Sequence, residues 1–254
     1  MCSAMDSAAV PWAAGLFDAE GSASAYSRRG GPSRERQMVV YQAGCHSTPP
    51  VLLRFKEAIG GQGNITGPYR GRLYHWSTKK HSAFEDVTLL LWPWLGVAKR
   101  SQLRAATIGV GRELPPACGD AEPRTGCRRA SDDLAWASGF FVGEGHVGAS
   151  RSVGRRMIRM SIAQASPGGV PDTLLRFRET VGVGAIRGPR LLPSPWSRLP
   201  QYEWGTQSYE GAQATVALLW RWLDERKRAQ AIECFRRYRD RAERLRLTAA
   251  EVSS

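Results

Sequence analysis

Trp12-Ala13-Ala14-Gly15-Leu16-Phe17-Asp18-Ala19-Glu20-Gly21 returns 124 positions later as Trp136-Ala137-Ser138-Gly139-Phe140-Phe141-Val142-Gly143-Glu144-Gly145. The match does not stand alone. Gln42 returns as Gln164, and Leu52-Leu53-Arg54-Phe55-Lys56-Glu57 as Leu174-Leu175-Arg176-Phe177-Arg178-Glu179, both at offset 122. Tyr74-His75-Trp76 returns as Tyr202-Glu203-Trp204, Leu91-Trp92-Pro93-Trp94-Leu95 as Leu219-Trp220-Arg221-Trp222-Leu223, and Lys99-Arg100-Ser101-Gln102 as Lys227-Arg228-Ala229-Gln230, all at offset 128. Eight of the nine tryptophans fall into four repeat pairs, and the ninth, Trp196, lies in an insert. The offset changes only in polar, Gly/Pro-rich stretches, among them the one between Arg28 and Gln37 and Leu191–Pro200. Two copies of one fold that differ in their turns produce this pattern. The 254 residues therefore read as an N-terminal repeat over 1–108, a linker over 109–131, a C-terminal repeat over 132–246 and a short tail over 247–254.

Each repeat reads as helix, two strands, helix, two strands, helix. Ala8–Ala19 is a helix; Ser22–Ser27 and Gln37–Ala43 alternate in polarity and form a hairpin. Pro50–Ile59 places Val51, Leu52, Phe55, Ala58 and Ile59 on one helical face. Asn64–Thr66 and Leu73–Thr78 make a second hairpin around Gly67-Pro68. Ser82–Leu95 and Ala98–Ile108 are helical, broken near Pro93 and Gly96. The second copy is expected to end in one long basic helix from Tyr209 to about Leu245. The fold class is α+β: two pseudo-symmetric αββαββα repeats with antiparallel sheets, and a central helix pair at the repeat interface.

Composition narrows the function classes. Hydrophobic residues are 42% and charged residues 23%, ordinary globular values that exclude bulk disorder. No run of eighteen apolar residues exists, and the N-terminus has no secretory pattern. Five cysteines without a Cys-x-x-Cys pair fit a reducing compartment. An intracellular location follows, with organelle, nucleus and bacterial cytoplasm undistinguished. The net charge of +13 points to a polyanionic partner. Only Lys56, Lys79, Lys80, Lys99 and Lys227 are lysines among 36 basic residues, so two lysines at one repeat position stand out.

In each first helix a small-xxx-small stripe, Gly15/Ala19 and Gly139/Gly143, allows close backbone approach to a second helix. An acid follows each stripe. If the two helices pack along their stripes, Glu20 and Glu144 meet at one end of the pair. Like charges brought together are costly, and a divalent cation on oxygen ligands removes that cost. The plainer alternative makes both acids surface residues, yet a helix C-terminus disfavours negative charge and both copies place one there.

Ala14–Gly21 resembles the motif that names the LAGLIDADG homing endonucleases, and Ser138–Gly145 resembles a more divergent second copy. Two copies in one chain are similar to the monomeric, pseudo-symmetric branch of that family. Both motif acids are Glu where the family name has Asp, and Val142 replaces the inner acid that Asp18 supplies in the first copy. The resemblance implies that the two antiparallel sheets form a DNA-binding saddle and that the chain is a site-specific double-strand DNA endonuclease. Its metal ligands would be Glu20 and Glu144 with the carbonyls of Ala19 and Gly143. Mg²⁺ is the implied ion, with Mn²⁺ or Ca²⁺ able to substitute for binding. Lys99 and Lys227 would stabilise charge at the phosphate or position water; the alternative is a phosphate or surface contact. Gln42 and Gln164 match a polar residue near the attacking water, against the alternative of a strand-end hydrogen bond.

Base reading falls on the strands, since β-ribbons fit the major groove. In the first repeat the candidates are Ser22, Ser24, Tyr26 and Arg28, then Gln37, Val39 and Tyr41, then Thr66, Arg70 and His75. In the second they are His146, Ser150, Ser152, Arg159, Ser161, Arg187, Gln201 and Glu203. The faces differ, so a long, non-palindromic duplex target is expected, bound by a monomer without membrane association. The chief alternative is an intron-encoded RNA maturase of the same fold, which could dispense with the motif acids.

Overall fold

The computed structural model describes residues 8–27, 34–44, 47–107, 114, 130–152, 155–191 and 199–252, so the expected linker lies almost entirely outside the described residues. The chain divides into two compact units, Met1–Gly143 and Glu144–Ser254. The N-terminal unit holds α1 (Ala9–Glu20), β1 (Gly21–Ser27), β2 (Arg34–Ala43), α2 (Pro50–Ala58), β3 (Asn64–Tyr69), β4 (Leu73–Thr78), α3 (His81–Leu91), α4 (Val97–Thr107) and all but the last residue of α5 (Ala130–Glu144). The C-terminal unit holds β5 (Gly145–Ser152), β6 (Arg155–Ala165), α6 (Asp172–Val181), β7 (Ala185–Arg190), β8 (Gln201–Thr206), α7 (Tyr209–Leu219) and α8 (Glu225–Val252). Each unit has one antiparallel four-stranded sheet, ordered β1-β2-β4-β3 and β5-β6-β8-β7.

Strand period sorts the residues of each sheet into two faces. Met38, Val40, Trp76 and Thr78 turn to the covered face in the first, and Ile158, Met160, Ile162, Trp204 and Thr206 in the second. A helix started by prolines packs on each covered face. Its phenylalanine meets the sheet tryptophan edge-on: Phe55 to Trp76 at 5.0 Å and Phe177 to Trp204 at 4.7 Å. Each indole N–H donates to the loop after that helix, Trp76 to Gln62 O at 2.7 Å and Trp204 to Val183 O at 3.0 Å. At Gly63 and Gly184, both with positive φ, a Cβ would stand 2.5 and 2.6 Å from the indole, so only glycine fits the turn.

Helices α1 and α5 are buried nearly all round, as helices in a protein interior are. They approach backbone to backbone. A Cβ on Gly15 would lie 2.0 Å from Trp136 O, and one on Gly139 would lie 2.0 Å from Trp12 O. The small-residue stripe is thus the contact itself, which is why α5 up to Gly143 belongs to the N-terminal unit.

One expectation needs correction. Tyr209 to Leu245 is not a single helix, because residues 220–224 interrupt it. Trp222 N and Leu223 N both bond to Leu219 O, closing α7, and Asp224 Oδ1 accepts from Lys227 N at 2.9 Å, opening α8. Arg221 stands where the first repeat has Pro93, so no proline announces the break.

Candidate functional site

Glu20 ends α1, and Gly21 turns at once into extended backbone (φ −77°, ψ 151°) while its N–H bonds to Phe17 O. A Cβ at Gly21 would press on the Phe17 ring at 2.4 Å, so the helix-to-strand junction needs glycine. Helix α4 packs on β1 and carries Lys99, whose Nζ donates to Gly21 O at 2.5 Å. The C-terminal unit repeats this arrangement. Glu144 ends α5, Gly145 opens β5, α8 packs on β5, and Lys227 Nζ donates to Gly145 O. In both units an ammonium therefore sits on the carbonyl immediately after the motif acid.

A second repeated device holds each lysine in place. Arg100 Nε donates to Trp92 O at 3.0 Å and its Nη2 to Pro93 O at 3.3 Å. Arg228 Nε donates to Trp220 O and its Nη2 to Arg221 O, both at 3.0 Å. Each guanidinium ties together the bend before the lysine helix by bonding the last carbonyls of the preceding one. Sequence reasoning noticed this Lys-Arg pair but gave the arginine no role; its recurrence in both repeats was the available signal.

Asp18 is also more than a motif letter. It is 3% exposed, and both of its oxygens accept from Gly96 N at 3.0 Å while Oδ2 accepts from Trp136 Nε1 at 2.9 Å. One carboxylate thus joins α1, α5 and the start of the lysine helix, where the helix dipole favours it. The second copy divides these duties differently. Val142 replaces Asp18, and Asp224, at the place of Gly96, caps α8 itself. Trp12, the counterpart of Trp136, keeps a buried Nε1 without an acceptor among the described residues. Asp18→Ala is expected to lower unfolding stability by about 3 kcal/mol, read from the urea midpoint, because two buried donors lose a charged acceptor. Trp12→Phe is expected to cost less than Trp136→Phe in the same assay, since only the latter removes a hydrogen bond.

Gln42 and Gln164 lie on the covered side of their sheets, in phase with Val40 and Ile162. Gly21 pairs with Val40, so Gln42 stands two positions past the start of β1, alongside the end of α1. Gln164 Oε1 accepts from Thr173 Oγ1 at 2.5 Å, whereas Val51 occupies the matching place in the first repeat. Ala19 and Gly143 are brought together: a Cβ on Gly143 would meet Ala19 Cβ at 2.4 Å and Glu20 Cγ at 3.0 Å.

The open face of the first sheet carries Ser22, Ser24, Tyr26, Gln37, Val39, Tyr41, Thr66 and His75, joined in register by Glu35, Asn64 and Ser77, which sequence reasoning passed over. Tyr26 donates to Glu35 at 2.9 Å. Tyr69 stacks on His75 at 5.1 Å, Tyr41 tilts against it at 5.5 Å, and Thr66 Oγ1 bonds its Nε2 at 3.0 Å. Desolvation, and then the charge of Lys79, hold the His75 pKa below the usual imidazole value, which favours the neutral ring. Arg70 sits at the exposed β3–β4 turn with φ 49°. Arg28 lies outside the described residues.

The open face of the second sheet carries His146, Arg159, Ser161, Arg187, Gln201 and Glu203, with Ser150 and Ser152 in phase by strand register. The Ser150 and Ser152 side chains are outside the described residues. Arg159 Nη2 reaches both Glu203 oxygens at 2.7 Å. Val39 and Ser161, one repeat apart, are the most covered of these positions, at 6% and 9% exposure.

No family model and no curated protein sequence matches the chain. Solved structures do match it. The I-SmaMI LAGLIDADG homing endonuclease bound to cleaved DNA superposes with a TM-score of 0.60 at 14% identity, over 96% of this chain and 93% of that one. The LAGLIDADG homing endonuclease I-GzeII in complex with its DNA target gives 0.57 at 11% identity, over 95% and 91%. The fold is that of the LAGLIDADG homing endonucleases. In this fold the chain places Glu20 and Glu144 at the ends of α1 and α5. I-SmaMI bound to an uncleaved DNA target in the presence of calcium ions also superposes, with a TM-score of 0.50 at 14% identity over 84% of each chain.

The donor set can be tested against a divalent ion. Among the described residues no group of three or more His, Cys, Asp or Glu side chains converges. The junctions after α1 and α5 instead offer Glu20 and Glu144 with neighbouring backbone carbonyls. Such a sparse all-oxygen set suits Mg²⁺, which keeps waters and phosphate oxygens as its other ligands, and it does not suit zinc.

Proposed function

We propose that this protein is a site-specific DNA endonuclease that uses a divalent metal, most simply Mg²⁺, to hydrolyse one phosphodiester bond in each strand across the minor groove of a long asymmetric duplex. The observation that carries the reading is the twice-repeated placement of a lysine ammonium on the carbonyl that follows the motif acid. A helix-surface lysine has no reason to be tied there in both copies.

The carboxylates of Glu20 and Glu144, with the carbonyls of Ala19 and Gly143, would hold the metal, one acid serving each strand. When bound, the ion supplies Lewis-acid polarisation of the phosphate and a more acidic water. The remaining work falls to the chain. Lys99 and Lys227 set a fixed positive charge where the phosphate's charge grows, and arginine, with its larger and undeprotonatable fork, would not replace them. Gln42 and Gln164 hold the strand ends that flank the acids and offer an amide to a water. The open faces carry the polar groups that read base edges.

The test is cleavage of a duplex DNA library in Mg²⁺ by the wild type and the Glu20→Gln and Glu144→Gln variants. Sequence-specific double-strand products supports the reading. Tight binding to structured intron RNA with no DNA cleavage would replace it with the maturase function. Lys99→Ala and Lys227→Ala are each expected to slow cleavage of one strand by about 10²-fold, the usual cost of one electrostatic donor, while DNA binding in Ca²⁺ stays within a few-fold. Affinity should also fall steeply with salt. With on the order of eight phosphate contacts it drops by about 10⁴ between 50 and 200 mM salt, measured by fluorescence anisotropy.

A further inference from the structure

The two sheets carry different chemistry at equivalent places. The matching Gly67-Pro68 and Gly188-Pro189 turns, both cis, and the strand registers pair Thr66 with Arg187, Tyr69 with Arg190, Gln37 with Arg159, Tyr41 with Ala163 and His75 with Glu203. In the N-terminal unit these positions form an uncharged cluster in which Tyr41 and Tyr69 pack on His75 and Thr66 bonds it. In the C-terminal unit they form a charged one. Arg159 is held by Glu203, and Arg187 pairs with Glu203 in register. Arg187 and Arg190 are exposed, with no ion-pair partner among the described residues. Ala163, in place of a tyrosine, leaves a cavity of about 560 Å³ lined by these groups.

An arginine facing DNA can neutralise a phosphate or read a base. Here the mixture decides. A phosphate presents only acceptors, and Glu203 at the centre of the cluster would repel it. Arg159 has already spent its charge on that carboxylate. The edge of a G·C pair presents two adjacent acceptors, O6 and N7 of guanine, beside a donor, N4 of cytosine. An arginine fork beside a carboxylate, as Arg187 stands beside Glu203 in register, matches that edge in the major groove. The uncharged cluster in the first sheet has no such fork at the equivalent positions; its aromatic and methyl surfaces match the thymine methyl group instead.

Resting on the nuclease reading, we infer that Arg187 and Arg190 of the C-terminal sheet specify guanine, with Glu203 orienting Arg159 and accepting from cytosine, and that the half of the target under this sheet is therefore G·C-specified while the other half is not. The experiment is affinity selection of the full-length protein on a randomised duplex library in Ca²⁺, so that cleavage is not required. Wild-type protein should enrich guanines in one half-site. Arg187→Gln and Arg190→Gln should each lower the guanine preference at one position by about 10- to 100-fold, the range for a bidentate arginine–guanine contact, and leave the other half unchanged. Arg187→Lys should lower the preference less than Arg187→Gln while keeping the salt slope, because lysine keeps the charge and still reaches guanine O6 and N7 but lacks the planar fork. Two results would overturn the inference alone: retained DNA without a guanine bias, or Arg187→Gln and Arg190→Gln weakening all sequences equally and lowering the salt slope by about one each with the bias intact, the mark of phosphate clamps. Failure of the wild type to retain any duplex would overturn both the inference and the nuclease reading.

Discussion

Glu20→Gln and Glu144→Gln are each expected to abolish double-strand cleavage while preserving DNA binding in Ca²⁺. Each substitution exchanges one carboxylate oxygen for an amide at the acid that ends the helix before the helix-to-strand junction. The loss of a metal-holding charge removes several kcal/mol of transition-state stabilisation. At the affected strand the single-turnover rate should fall by about 10³-fold or more. The residual product is diagnostic. If one acid serves one strand, Glu20→Gln and Glu144→Gln should leave opposite strands nicked, resolved on denaturing gels with end-labelled DNA. Cutting of both strands at wild-type rates by both variants would remove these acids from the mechanism.

Gly15→Ala and Gly139→Ala should have the largest effect on stability, and its sign is the informative part. On an exposed helix, glycine to alanine gains about 1 kcal/mol of helix propensity. Here the new Cβ would lie 2.0 Å from a carbonyl oxygen of the facing helix in each case. The obstacle is backbone, which no rotamer change relieves. Separating α1 from α5 would open a contact between two largely buried helices. A loss of about 3 kcal/mol or more is expected, at the upper end of overpacking costs, read from the urea midpoint. Gly143→Ala should behave differently. Its nearest neighbours are the Ala19 and Glu20 side chains, so it should disturb cleavage more than stability by displacing Glu20. A stability gain in Gly15→Ala would mean that the helices do not approach as closely as described.

Much of this protein was legible from the chain. Duplication exposed the repeat, and the offsets located the turns. Period two assigned Ser22, Ser24 and Tyr26 to one face and Ala23 and Ala25 to the other without any structure, because a strand leaves no other choice. The glycine stripe foretold the helix contact for a similar local reason: only residues lacking bulk permit it. The break at residues 220–224 was missed because Arg221 carries no backbone restriction of its own. It shows only once Asp224 is seen capping α8 and Arg228 tying the bend.

The sequence by itself determined the repeat, the strand faces, the helix stripe and the two acids that close it, all properties of residues near one another in the chain or at equal places in its copies. Only the tertiary structure decided what Asp18, Lys99 and Arg159 do. Asp18 bonds Gly96 and Lys99 bonds Gly21, each across 78 positions, and Arg159 bonds Glu203 across 44. Such contacts depend on where packing brings a distant carbonyl, amide or carboxylate. A periodic pattern records which way a side chain points, and holds no record of which partner waits there.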